Sequence, residues 1–174
     1  MPYPRTILTM AQNLITIAGE NPDVHENKFY MLWNGILYHH FPLSLEYGVA
    51  PQTSITGTGT KPEFLVVKVA REEESIVLVV ELKKPAEDTP AGRQKVVEEL
   101  AEYIEERFDE TEFSTIYAIG GIGLSFAVYK MNKPGPPEPQ LVFDWSSNVT
   151  AATSFDRMVQ VATSIDEMTG TTRI

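Results

Sequence analysis

The chain has no cysteine, which excludes disulfide staples, thiolate nucleophiles and cysteine-ligated zinc. A reducing, intracellular setting is the matching expectation. Histidine is scarce as well. His25, His39 and His40 show no metal-ligand spacing, and the adjacent pair would leave a helix on different sides, so all three read as structural or solvated. Positive charge is in deficit: 14 Lys and Arg stand against 24 Asp and Glu, a net charge of −10. That balance argues against a general nucleic-acid binder, whose non-specific affinity comes from neutralising phosphates. No apolar run approaches the roughly 20 residues of a membrane span, and Met1 to Glu20 lacks the charged-then-apolar order of a signal peptide. No membrane partner is expected.

What is present suits one soluble globular domain over residues 1–174, with 43% hydrophobic and 22% charged residues. Ile7, Leu8, Ala11, Leu14, Ile15 and Ala18 recur at helical spacing and predict a helix over 5–18 that Gly19 ends. Asn21-Pro22 reads as the start of a second helix, with Phe29, Leu32, Trp33, Ile36, Leu37 and His40 inward and Pro42 as its stop. Residues 43–60 read as a loop with a short strand near 53–56. Within it, Gly57 to Lys61 lacks the spacing of a phosphate loop and leads into a strand.

The chemistry is concentrated between Lys61 and Lys83. Two apolar runs, Phe64 to Ala70 and Ile76 to Lys83, read as a hairpin around the hydrophilic loop Arg71 to Ser75. Pairing Ala70 with Ile76 puts Glu63 opposite Lys83 and Leu65 opposite Glu81, so Glu63, Glu81 and Lys83 share a face. Diagonal neighbours of this kind have backbones roughly 7–8 Å apart, a gap that two carboxylates can close around magnesium. An ordinary structural ion pair is the plain alternative. Glu81 and Lys83 end a run with no polar residue after Ile76, and charge in that position needs a reason.

Beyond the hairpin, Thr89-Pro90 opens a helix to about Phe108, with Val96, Val97, Leu100 and Ile104 inward and Glu98, Glu99, Glu102, Glu105 and Glu106 mostly outward. Strands are expected over 115–119, parallel to the Glu81 strand, and over 124–131, joined through Gly120 to Gly123. Residues 133–139 form a loop, 141–145 an edge strand, and Ser154 caps a last helix over 154–168, with Phe155, Met158, Val159, Ala162 and Ile165 inward. The sequon Asn148-Val149-Thr150 reads as incidental.

Pro62-Glu63, then Glu81-Leu82-Lys83, then a helix carrying Gln94, resembles the PD-(D/E)XK, or restriction-endonuclease-like, nuclease superfamily. The resemblance covers about Val24 to Met131 as an order of elements, with Glu63 where the family usually has Asp. It implies an α/β fold with a central mixed sheet flanked by helices, the helices 5–18 and 154–168 being additions to the core. It also implies hydrolysis of phosphodiester bonds assisted by Mg2+ or Mn2+. Glu63, Glu81 and the Leu82 carbonyl would hold metal, Lys83 would orient water or stabilise the transition state, and Gln94 would stand near metal-bound water or substrate. Glu26 is implied as a further ligand, against the alternative of a first-turn carboxylate in an Asp23-x-x-Glu26 capping box. Nucleic acid is the implied partner, with Lys61, Lys83, Lys84, Arg93 and Lys95 as a locally basic mouth. The rivals are a non-catalytic module of this fold that binds a protein partner or a second copy of itself, and a subunit or effector domain of a larger assembly.

Overall fold

The computed structural model describes residues 3–51, 62–70 and 73–173. Four helices, α1 (Arg5–Glu20), α2 (Tyr30–His40), α3 (Pro90–Arg107) and α4 (Ala152–Thr169), surround strands β1 (Tyr47–Pro51), β2 (Phe64–Ala70), β3 (Glu73–Lys83), β4 (Thr115–Ile122), β5 (Ser125–Asn132) and β6 (Gln140–Ser146). The six strands form one sheet in sequence order. β3 and β4 are parallel, joined through α3, and every other neighbouring pair is antiparallel.

Apolar side chains of α1, α2 and α4 cover one face of the sheet, with Leu32, Trp33, Ile36 and Leu37 fully buried. Val96, Leu100, Tyr103 and Ile104 of α3 cover the other. The fold is therefore α/β, a mixed sheet between helical layers. Alternation along β3 decides what each layer receives: Val80 and Leu82 go to the α2 side and Val79 to the α3 side. Glu81 and Lys83 follow Val79 and face α3.

The hairpin differs from its expected register. Ala70 pairs with Glu73, so Glu73, Glu74 and Ser75 lie in β3 rather than in the loop; Arg71 is outside the described residues. The pairing is thus slipped by three, which alone would have put Glu63 and Glu81 on opposite faces. A bulge restores the parity. Val67 pairs with Ile76 but Val66 with Leu78, leaving Val77 as the extra residue, and Phe64 then meets Val80.

Other boundaries move for local reasons. Asn21 accepts from the Asp23 N–H in a turn, 3.1 Å, and the chain then makes a short 3-10 turn, Glu26–Phe29, before α2 begins. Gly19 remains inside α1. Residues 47–51, expected as loop, form edge strand β1, where Gly48 sits close under Val67; the expected strand over 53–56 and the loop ending at Lys61 lie outside the described residues. Gly120 and Gly121 are strand residues, and only Gly123-Leu124 turns the chain from β4 to β5, with Gly123 at φ 60° in the first central position that favours glycine. Ser154 is not a cap: Ala151 precedes the first turn of α4, and the buried Ser154 hydroxyl donates to the Asn148 carbonyl, 2.7 Å. Val159, expected inward, is exposed.

Candidate functional site

Gly120 explains how α3 is set over the sheet. It lies beside Glu81 in the parallel pair, and a Cβ there would stand 2.5 Å from Val96 Cγ1, so its missing side chain admits α3 at close range. Thr89 fixes where that helix starts, its hydroxyl accepting from the Gly92 N–H at 3.1 Å. Glu99, one turn beyond Val96, then reaches the end of β3.

Glu81 is 2% exposed, and its Oε1 accepts from Lys83 Nζ at 2.7 Å. The same ammonium lies 2.6 Å from Glu99 Oε2, an ion-pair distance without the alignment of a directed hydrogen bond. Lys95 approaches Glu99 Oε1 only to 3.9 Å. One residue beyond the Phe64–Val80 pair, Glu63 comes level with Glu81, and its charge acts on Glu81. Lys83 therefore stands between two carboxylates, and Glu81 Oε2 is buried with no hydrogen-bond partner among the described residues.

Burial pushes the Glu81 pKa up to about 8; Lys83 opposes this, while the Glu99 and Glu63 charges add to it. Burial also disfavours the charged form of Lys83, but its hydrogen bond to Glu81 and its attraction to Glu81 and Glu99 outweigh it and raise its pKa. Tyr103 is raised by burial and by the same two carboxylates. The cluster holds protons tightly because negative charge is in excess in a poorly solvated place.

The remaining expected residues lie elsewhere. Gln94 is exposed and donates to Glu98 Oε1 at 3.1 Å, one turn along α3, so its side chain is committed to the solvent face. Glu26 sits 3.4 Å from His25 Nδ1 and in the field of Lys84, at the start of its 3-10 turn, and the Asp23 carboxylate pairs with Lys84 at 2.8 Å instead of capping a helix. Among the described residues no three His, Asp or Glu side chains form a group able to hold a metal, so the expected trio of Glu26, Glu63 and Glu81 is not assembled. The basic mouth is also paired, with Arg93 2.7 Å from Asp88. Glu99 was the residue the sequence reading placed outward. Its spacing of three from Val96 and four from Tyr103, both buried, was the available signal.

A surface depression of about 550 Å³ is lined by Glu73, Glu74, Ser75, Asp109, Glu110, Thr111 and Glu112. It lies at the opposite end of β3, roughly 3.3 Å per residue away along the strand. No protein-family model matches the chain, and no curated protein or solved structure matches it significantly.

Proposed function

We propose that the chain is a metal-dependent phosphodiesterase of the restriction-endonuclease-like, PD-(D/E)XK kind, acting on nucleic acid. The observation that carries this reading is Glu81: a buried carboxylate with one oxygen on Lys83 and the other without a hydrogen-bond partner among the described residues. Leaving such an oxygen unpaired is costly, and a divalent cation would remove the cost. Carboxylate oxygens are the hard donors that magnesium or manganese takes. Glu81 and Glu63 would hold the ion, and two protein ligands suffice where water and phosphate oxygens complete the shell. When bound, the ion would polarise a phosphate oxygen and lower the pKa of an attacking water.

The protein's own part is electrostatic. Lys83 keeps its proton, and an ammonium at this place stabilises the negative charge that gathers on a phosphate as it is attacked. The Lys83 side chain is only 17% exposed, which limits water and strengthens that interaction. Gln94 and Glu26 have no part in this reading.

Calorimetry with Mn2+ and cleavage of single- and double-stranded DNA and RNA test it. Wild-type protein should bind the ion and cut, and Lys83→Ala should lower cutting by about 10²-fold or more without unfolding the chain. Absence of both binding and cutting would leave the second reading, a non-catalytic module of the same fold with a protein partner or a second copy of itself. That reading draws on two observations: Lys84 and Arg93 each have a carboxylate within 2.8 Å, and the chain carries a net charge of −10.

A further inference from the structure

Three features compete for a further role. The groove between α1 and α2, lined by Met10, Leu14, Ile17, Met31 and Leu32, is apolar, but nothing identifies its occupant. The pocket at Lys68 has its ammonium bonded to the Leu45 carbonyl and Glu46. Glu99 is different, because its position beside Lys83 bears on how a cation could enter.

We infer that Glu99 is the positioning residue for Lys83, holding the ammonium in place when a divalent cation takes Glu81. This rests on the proposed metal reading and adds to it a residue that neither the motif nor the expected ligand set contains. In the resting chain Lys83 spans the two carboxylates, 2.7 Å from Glu81 and 2.6 Å from Glu99. A cation on the free oxygen, Glu81 Oε2, draws on the same carboxylate that holds the ammonium at Oε1 and so weakens that hold. Without a second partner, a lysine with only 17% side-chain exposure would lose much of its counter-charge, and cation binding would be less favourable. Glu99 comes from a different element, α3, so it stays in place whatever happens at the end of β3. Gly120 and Val96 set that helix close enough for the contact. Glu99 thus keeps the ammonium held while its attraction to Glu81 weakens.

The experiment is a set of Mn2+ affinities by calorimetry, at one pH and ionic strength, for wild type, Glu99→Gln, Glu99→Asp, Lys83→Met and the double variant Glu99→Gln/Lys83→Met. Thermal melts confirm that each is folded. Glu99→Gln should weaken binding about tenfold, because the ammonium loses its second counter-charge in a poorly solvated place. Glu99→Asp, which keeps the charge but is a methylene short, should weaken it similarly. In the Lys83→Met background the Glu99→Gln effect should shrink to about twofold, because there is no ammonium to hold; such non-additivity is what a double-mutant cycle detects. A spectroscopic readout accompanies it: the Lys83 ammonium 15N resonance should survive Mg2+ addition in wild type and be lost to exchange in Glu99→Gln. Affinity in Glu99→Asp equal to wild type, or a Glu99→Gln effect that persists undiminished in Lys83→Met, would mean that Glu99 acts by charge alone and would overturn the inference. No Mn2+ binding by wild type would overturn the metal reading and this inference with it.

Discussion

Two buried carboxylates, Asp166 and Glu81, are 5% and 2% exposed, yet their surroundings are opposite in kind. Asp166 Oδ1 accepts from the Tyr47 hydroxyl at 2.7 Å and its Oδ2 from Arg173 Nε. Around them Tyr47 also meets Thr169, Arg173 donates to the His40 carbonyl at 2.7 Å, and the Tyr3 hydroxyl meets His40 Nε2 at 3.0 Å. Burial, with the His39 and Arg173 charges, lowers the His40 pKa to about 3, so this ring adds no charge. Every polar group in that set has a protein partner, and the network ties β1, α2 and the C-terminal segment together. Glu81 has one satisfied oxygen, one without a hydrogen-bond partner among the described residues, and two carboxylate neighbours. The contrast separates a polar cluster whose members all have partners from one that leaves a buried carboxylate oxygen without a hydrogen bond among the described residues.

The comparison can be broken most forcefully at Asp166. Asp166→Ala should lower stability by about 2–3 kcal/mol, because it removes a buried acceptor of the Tyr47 hydroxyl and the counter-charge of Arg173; urea unfolding measures this. Next comes Glu81→Gln, which should act in the other direction in metal-free buffer. The Glu81 pKa in the folded chain, about 8, lies above its ordinary value of 4.5. The stability tied to its proton is therefore complete below about pH 4.5 and is lost as the pH rises through 8. Wild type should weaken by on the order of 2 kcal/mol between pH 5 and pH 8, and Glu81→Gln should lack that slope, as equilibrium unfolding at each pH would register. If the two carboxylates were alike, both variants would destabilise at every pH.

Smaller effects sharpen the account of how the cluster is placed. Gly120→Val should force Val96 away and cost about 1–2 kcal/mol, while moving Glu99 off Lys83; differential scanning calorimetry and the Lys83 ammonium resonance report the two parts. Gln94→Ala should change stability by less than about 0.5 kcal/mol, as an exposed substitution, and should leave any metal affinity unchanged by calorimetry.

Much of this was legible in the residues. Thr89-Pro90 marked the start of α3 because a capping hydroxyl followed by proline has few other uses, and the β3–α3–β4 crossover followed from the order of the apolar runs. The edge strand β1 was hidden because Gly48 and Pro51 signal a loop locally, while pairing with β2 decides the outcome. Register was hidden for another reason. Val66, Val67, Val77 and Leu78 are all apolar, so nothing in their pattern marks the extra residue of a bulge. Glu63 and Glu81 still share a face only because bulge and slip compensate. Glu99 was obscured by its setting among Glu98, Glu102, Glu105 and Glu106, an acidic run that reads as a solvated face unless each position is placed on the helix separately. Gln94, a motif position in the sequence, has its side chain on Glu98 one turn along α3.

The central claim, that Glu81 is a carboxylate awaiting a cation, is tested most directly by the melting temperature of wild type and Glu81→Gln at pH 8 with and without 10 mM Mg2+, an amount of about millimolar order sufficient to shift a weak site by mass action. Without metal the variant should melt higher than wild type. With Mg2+ the wild type should rise and the variant should not, reversing or closing the gap. A wild type that melts higher than Glu81→Gln in metal-free buffer and does not respond to Mg2+ would show Glu81 to be a structural partner of Lys83, like Asp166 with Arg173, and would contradict the claim.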